Sequence, residues 1–280
     1  MEAVIRGGSA LWKKMSSDAG GWDGRVRRAR HLAAKNDSAA ALLEFYAVVL
    51  TCQGDLARSI RAGLPARPTG SLEDDLSIVC RAAPAFVGAV VARAPETLAA
   101  EGRRLLDASQ RLLGDALLRW WGAPSDREFF PKAILQPYAR SLSDAGVTPA
   151  DRTLPRTNNR CPFCGGSPQL AILDPVTASA VETGGRRLLC ATCLGTWPFR
   201  RVLCARCGEE DEHKLAYFRS PAFDHLRVDA CDTCRHYLKT VDLTRLGVAV
   251  PLVDEVAGAP LDVWAREHGY EKIELNLLGL

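Results

Sequence analysis

Eight of the ten cysteines fall into four C-x-x-C pairs: Cys161 with Cys164, Cys190 with Cys193, Cys204 with Cys207, and Cys231 with Cys234. Two residues between thiols let a tight turn point both sulfurs at one ion, so each pair is half of a tetrahedral site. Four pairs supply two sites. A disulfide framework would also explain cysteine density in a loop-rich segment. Against it, the opening MEAVIRGGSALWKKM has no apolar core followed by a small-residue cleavage site, and no run of about 18 apolar residues occurs. The chain therefore reads as cytoplasmic, where thiols stay reduced. A thioredoxin-like redox C-x-x-C comes singly beside a βαβ pattern, whereas four occur here in a turn-rich stretch.

Partners within the sites follow from distance along the chain. Cys164 and Cys190 are separated by 25 residues and Cys207 and Cys231 by 23, while only 10 lie between Cys193 and Cys204. The near-equal long gaps suggest two copies of one unit, in which a C-x-x-C turn, a hairpin excursion and a second C-x-x-C turn close on one ion. Site 1 is then Cys161, Cys164, Cys190 and Cys193, and site 2 is Cys204, Cys207, Cys231 and Cys234. An interleaved, cross-braced pairing is the alternative that spacing leaves open.

Glycine follows the second cysteine directly at Gly165 and Gly208, where a positive φ lets backbone N–H groups face the thiolates. The other two pairs are followed by Leu194 and Arg235, which predicts a different, less strained turn. An all-thiolate tetrahedron accepts zinc or a single rubredoxin-type iron, and ligand type does not choose between them.

Composition bounds the rest. With 280 residues and 47% apolar content there is ample material for a core. The formal charge of +3 falls to about −1 once each filled divalent site contributes about −2, so no global bias toward nucleic acid survives. Residues 1–160 carry 23 Lys and Arg against 17 Asp and Glu, a basic half beside an acidic metal module. Arginines such as Arg25, Arg27, Arg28 and Arg30 read as a solvated helix face.

Helical periodicity runs through the first half. Asp37 or Ser38 is placed to cap a helix from Ala41 toward Ile60, and Ser71 a second one that Pro84 is expected to kink or divide. Pro95 opens a third, with Leu98, Leu105, Leu106, Leu112, Leu113 and Leu117 on one side, ending at Trp120-Trp121. A shorter helix runs from Phe129 through Leu142. Cys52 and Cys80 read as buried small hydrophobes rather than ligands, and the tryptophan pair as an anchor rather than an exposed patch. None of the five histidines has a catalytic setting. Residues 146–159 read as a linker. Short strands are expected at Gln169–Leu173, Arg186–Leu189, Lys214–Phe218 and Leu226–Asp229, then a helix over Val253–His268 and an apolar tail from Ile273 that packs on the body or a partner.

The order of these parts resembles the FdhE family, the accessory proteins needed for active formate dehydrogenase. The residues that carry the resemblance are CPFCG at 161, the run from Leu189 through Cys190, Cys193, Trp197, Arg201, Cys204 and Cys207 to Gly208, and Arg227-Val228 through Cys231 and Cys234 to Tyr237-Leu238-Lys239. Glu44-Phe45-Tyr46 and Phe129-Phe130-Pro131 fit the family's N-terminal domain less specifically. The chain departs from the pattern at Arg235, where glycine is common, and over residues 219–225.

The resemblance implies an α+β protein: an all-α bundle over residues 1–157, a first four-cysteine rubredoxin-like or zinc-ribbon fold over 158–200, a second over 201–243, and a C-terminal helix and tail over 244–280. It implies a cytoplasmic, non-catalytic chaperone that binds the catalytic subunit of formate dehydrogenase during maturation, with two metal ions, iron or zinc. An alternative is a rubredoxin-type iron protein that transfers or senses electrons for the same partner. Arg201, Tyr237 and Lys239, beside the knuckles, are candidates to contact the partner, or else they brace the ribbons. A homodimer is compatible with this reading; nucleic acid and a membrane span are not among the implied partners. No phosphate loop, nucleotide fingerprint or Ser-His-Asp arrangement points to an enzyme.

Overall fold

The computed structural model describes residues 21–37, 39–152, 154, 157–175 and 185–280. The opening segment, Ser38 as a helix cap, and Pro155 in the linker lie outside the described residues.

The first half is a helical bundle. Helix α1 is Trp22–Ala33 and α2 is Ala40–Gly63. Leu43, Tyr46, Ala47, Leu50, Gln53, Leu56 and Ile60 recur at three- and four-residue steps and form the buried face of α2. Its 24 residues are long and apolar enough to cross a bilayer. Here that face instead packs against α1 and against helices α3, Leu72–Val91, and α6, Phe129–Asp144. Asp37 does not cap α2; Ala39 holds that position without a side-chain bond.

Ser71 caps α3 as expected, accepting from Asp74 N at 3.3 Å. Asp151 adds a second acceptor for the same helix end, taking Leu72 N at 2.5 Å. Pro84 does not divide α3. It removes a single donor, and Val79, Ala83, Phe86, Val87 and Val90 are buried on both sides of it. The single helix expected from Pro95 is two, α4 at Glu96–Asp107 and α5 at Gln110–Gly122. The break falls where Ser109 turns its hydroxyl to accept from Leu112 N, starting a new helix.

Trp120 and Trp121 anchor the end of α5. Both are buried, and their indoles donate to Ser125 O and Asp151 Oδ1, each at 2.7 Å. Cys80 is buried and Cys52 partly so, and both pack in the helical core. Arg25 and Arg28 are not on a solvated face. Arg25 is buried over the Trp22 ring, and Arg28 clamps Asp254 with Nε at 2.9 Å and Nη2 at 2.5 Å. Arg27 and Arg30 are exposed as expected.

Among the described residues the second half holds seven strands: β1 Pro168–Leu173, β2 Arg186–Cys190, β3 Thr196–Pro198, β4 Leu215–Arg219, β5 Leu226–Cys231, β6 His236–Asp242 and β7 Glu271–Lys272. They form one sheet in the order β3-β2-β1-β6-β5-β4, with β7 also on β6. Within each three-stranded half the pairs are antiparallel, and β7 lies parallel to the start of β6. The halves meet through a parallel pair, Leu170 opposite Lys239 to Leu173 opposite Asp242. Two three-stranded ribbons are thus fused edge to edge, the first strand of one against the last of the other.

The C-terminal helix is divided at Gly258 into α7, Pro251–Ala257, and α8, Ala259–Glu267. Helix α7 packs on β1 and β6 and reaches α1 and α2. The tail returns to the body: Leu277 joins the main core, and Lys132 donates to Glu274 at 2.9 Å and to Leu275 O at 2.6 Å.

Candidate metal centres

The fold brings the eight cysteines together as two sequential groups. Cys161, Cys164, Cys190 and Cys193 form one and Cys204, Cys207, Cys231 and Cys234 the other, with all four sulfurs of each within 4.8 Å of one another. The short Sγ to Sγ distances are 3.6 Å for Cys161 to Cys193 and 3.4 Å for Cys164 to Cys190. In site 2, Cys204 to Cys234 and Cys207 to Cys231 are each 3.7 Å. A tetrahedron with metal–sulfur bonds of about 2.3 Å has edges of about 3.8 Å. The donor set and its spacing therefore fit one metal ion per group, and the thiols are free rather than bridged.

All four knuckles are built alike. Gly165 N donates to Cys161 O, Leu194 N to Cys190 O, Gly208 N to Cys204 O and Arg235 N to Cys231 O, at 2.8 to 3.2 Å. The residue after each second cysteine is left-handed: Gly165 at φ 72°, Gly208 at 80°, Leu194 at 55° and Arg235 at 58°. The expectation of a different, relaxed turn at Leu194 and Arg235 is therefore corrected. A C-x-x-C loop that closes its carbonyl bond and aims two sulfurs at one point needs that backbone whatever the side chain. The N–H groups of Thr192 and Arg206 point at the sulfurs of Cys190 and Cys204, each at 3.3 Å.

Close approach explains one glycine. A Cβ on Gly166 would lie 2.7 Å from Cys190 Sγ and 2.8 Å from Thr192 Oγ1, so the two knuckles of site 1 meet only because residue 166 has no side chain.

The sites differ in environment. All four ligands of site 1 are at most 1% exposed and belong to the same core as the helical bundle. Helix α6 docks directly on the second knuckle, Gln136 donating to Ala191 O at 2.8 Å and Arg140 to Leu194 O at 3.1 Å. Burial pushes the Cys161 thiol well above its ordinary range. Four thiolates held side by side out of water need a cation to offset their charge. In site 2, Cys207 is exposed and Cys234 half-buried.

The three residues singled out beside the knuckles separate. Arg201 is exposed, and it lines, with Arg186 and Arg227, a cleft of about 460 Å³ whose wall includes Cys204 and Cys231. Arg186 fixes the connection between the ribbons by donating to the carbonyls of Arg200, Arg201 and Leu203 at 3.1 to 3.3 Å. Tyr237 and Lys239 are buried. Tyr237 donates to Asp262 Oδ1 at 2.8 Å. Lys239 meets Asp262 and Glu255, and Lys272 closes the square against the same two carboxylates. These two side chains brace the ribbon against α7 and α8 and are shielded from any partner.

Sequence reasoning missed Gln136, Arg140 and Arg186. Polar Gln136 and Arg140, interleaved with the apolar residues of α6, were the available signal for the first two.

Comparison with known proteins follows the same lines. Residues 202–278 match the FdhE C-terminal domain. The resemblance to the FdhE family is borne out. An FdhE homologue of Aquifex aeolicus is 34% identical over 152 residues, 54% of this chain and 51% of the relative. One of Pseudomonas aeruginosa is 32% identical over 213 residues, 70% of this chain and 62% of the relative. The matched segments thus span about half to three fifths of these curated relatives. The crystal structure of the FdhE protein from Pseudomonas aeruginosa superposes with a TM-score of 0.67 over 94% of this chain and 97% of that one, at 24% identity, and so shares the α+β fold.

Proposed function

We propose that this chain is a non-enzymatic, cytoplasmic accessory protein of formate dehydrogenase maturation, which binds the catalytic subunit through a surface shaped by two four-thiolate metal centres. The observation that carries the reading is the pair of preformed four-cysteine groups on a fold shared with FdhE. Four protein thiolates fill each tetrahedron and leave no open position for substrate, which suits a structural or electron-carrying ion rather than a catalytic one. The cleft beside site 2, with Arg201 on its exposed side, is the candidate docking surface. The test is a deletion strain assayed for formate dehydrogenase activity and complemented with the wild-type chain or with Arg201→Glu. Full activity in the deletion strain sinks the proposal, and restoration by the wild-type chain alone supports it together with the surface.

Exposure of Cys207 favours a second reading for site 2, a rubredoxin-type iron that senses or passes electrons. Anaerobic purification with metal analysis and visible spectra separates the two. Colourless protein with two zinc ions excludes the redox reading.

A further inference from the structure

Helix α6 carries a proline in its interior, and the consequence reaches site 1. Pro137 has no N–H to give to the carbonyl four residues before it, so Ala133 O is left over inside the core. Gln53 of α2 takes it, with Nε2 at 2.9 Å. The second hydrogen of the same amide goes to Gln136 Oε1 at 3.0 Å. Both N–H groups of Gln53 are then used, and Gln136 turns its own NH2 the other way. There it donates to Ala191 O at 2.8 Å. Gln53, Ala133, Gln136 and Ala191 are each at most 3% exposed, so bulk water does not compete for these bonds.

Ala191 stands between the ligands Cys190 and Cys193, and both halves of its backbone are held. Its N–H donates to Ser167 O at 3.0 Å, beside Gly166, whose carbonyl accepts from Cys161 N at 2.9 Å. Its carbonyl belongs to Gln136. At the far end of the same turn Arg140 holds Leu194 O. The matching residue of site 2, Asp232, donates to Lys214 O at 2.9 Å in the same way, but among the described residues no side chain donates to its carbonyl.

We infer that Gln53 and Gln136 are positioning residues of site 1: the relay that Pro137 sets up holds the Cys190–Cys193 turn in its ligating position, and so couples an ion at site 1 to the packing of α2 against α6. The inference rests on reading site 1 as a metal centre. A turn already fixed by the bundle loses less freedom on taking up an ion than a loose one, so removal of the relay favours the empty site. The coupling is reciprocal: the ion tightens the helix pair by the factor with which the helix pair tightens the ion.

The test uses the full chain, with zinc titrated against a chelator while alkylation of each cysteine is followed by mass spectrometry. Gln136→Met, which leaves Ala191 O buried without its donor, is expected to weaken zinc at Cys161, Cys164, Cys190 and Cys193 by about tenfold, and Gln53→Met by about threefold, with site 2 unchanged. Because the two glutamines act along one path, Gln53→Met should add nothing further in the Gln136→Met background. Wild-type affinity at site 1 in either single variant overturns the inference. Equal losses at both sites, or losses that add in the double variant, overturn it as well, since the role would then be general packing. Hydrogen exchange of the wild-type chain reads the reciprocal effect and needs no variant: the amides of α6 around Gln136 should slow in step with protection of Cys190 and Cys193 by zinc. Exchange there that is indifferent to zinc overturns the coupling. If Gln136→Met does not fold, Gln53→Met and the exchange measurement decide by the same criteria. Zinc that leaves the four site 1 cysteines of the wild-type chain unprotected overturns the metal reading itself, a result separable from loss of the glutamine effect alone.

Discussion

Leu194 and Arg235 occupy the same left-handed position in two different knuckles, at φ 55° and 58°, and each has its carbonyl bonded from a distant segment. Arg140 of α6 donates to Leu194 O at 3.1 Å, and Glu271 N, at the start of β7, donates to Arg235 O at 2.8 Å. A non-glycine residue in this conformation costs about 1–2 kcal/mol, and here the surrounding structure holds it in place.

The two positions should respond differently in degree to glycine. Leu194 is buried, so Leu194→Gly gives up about 1.5–3 kcal/mol of burial against about 1–2 of relieved strain and should destabilise by about 1 kcal/mol. The Arg235 side chain is about half exposed, so Arg235→Gly should stay within about 1 kcal/mol of the wild type. Denaturant unfolding of the zinc-loaded protein measures both, and a more stable Leu194→Gly variant would contradict the argument.

Site 2 should yield its ion first. Under chelator, release is expected in two phases, with Cys207 alkylated in the faster one and the buried ligands of site 1 in the slower. Simultaneous loss of both ions, with all eight thiols reacting together, would show that the difference in burial has no kinetic consequence.

Gly166→Ala should impair site 1 alone. The added methyl meets Cys190 Sγ at 2.7 Å, an overpacking that costs about 1–3 kcal/mol. A stoichiometry of one tightly held ion per chain, or a weakened slow phase, is the expected reading in a metal titration.

The Lys239, Lys272, Glu255 and Asp262 square carries a pH dependence. Burial alone would raise the Glu255 carboxyl, but Lys239 and Lys272 outweigh it and hold the group at about 2, against an ordinary 4.5. A depressed carboxylate contributes stability that is fully present above its unfolded value and is lost as pH falls through the folded one. This contribution should be complete above about pH 4.5 and fade toward pH 2. Lys239→Met, which strands two buried carboxylates on a single lysine, should cost about 3–5 kcal/mol, measured by unfolding at neutral pH. A loss below about 1 kcal/mol would mean that the square is not coupled.

Much of the site was legible because its constraint is local. A C-x-x-C pair closes within a few residues, and the lengths of the intervening segments favour pairing Cys161 and Cys164 with Cys190 and Cys193, with the fold deciding against an interleaved arrangement. Helical periodicity located α2, α3 and α6 for the same reason. Boundaries decided by one competing hydrogen bond, such as the Ser109 cap between α4 and α5, were not legible from apolar spacing. Strand β6 was missed because its residues are buried on both faces, Lys239 and Thr240 included, so it shows no polar and apolar alternation.

The sequence alone determined the number of four-thiolate groups, the identity of their cysteines, and the division into a helical half and a cysteine-bearing half. Only the tertiary structure decided that the two ribbons share one sheet through the β1 and β6 pair, that site 1 is sealed in the core while Cys207 opens site 2 to solvent, that Leu194 and Arg235 adopt the glycine-like turn, and that Tyr237 and Lys239 face inward. The reason is reach. Ligand spacing is written over a few residues of chain, whereas burial, charge pairing and strained backbone are settled by segments far apart in sequence that meet only when the molecule closes.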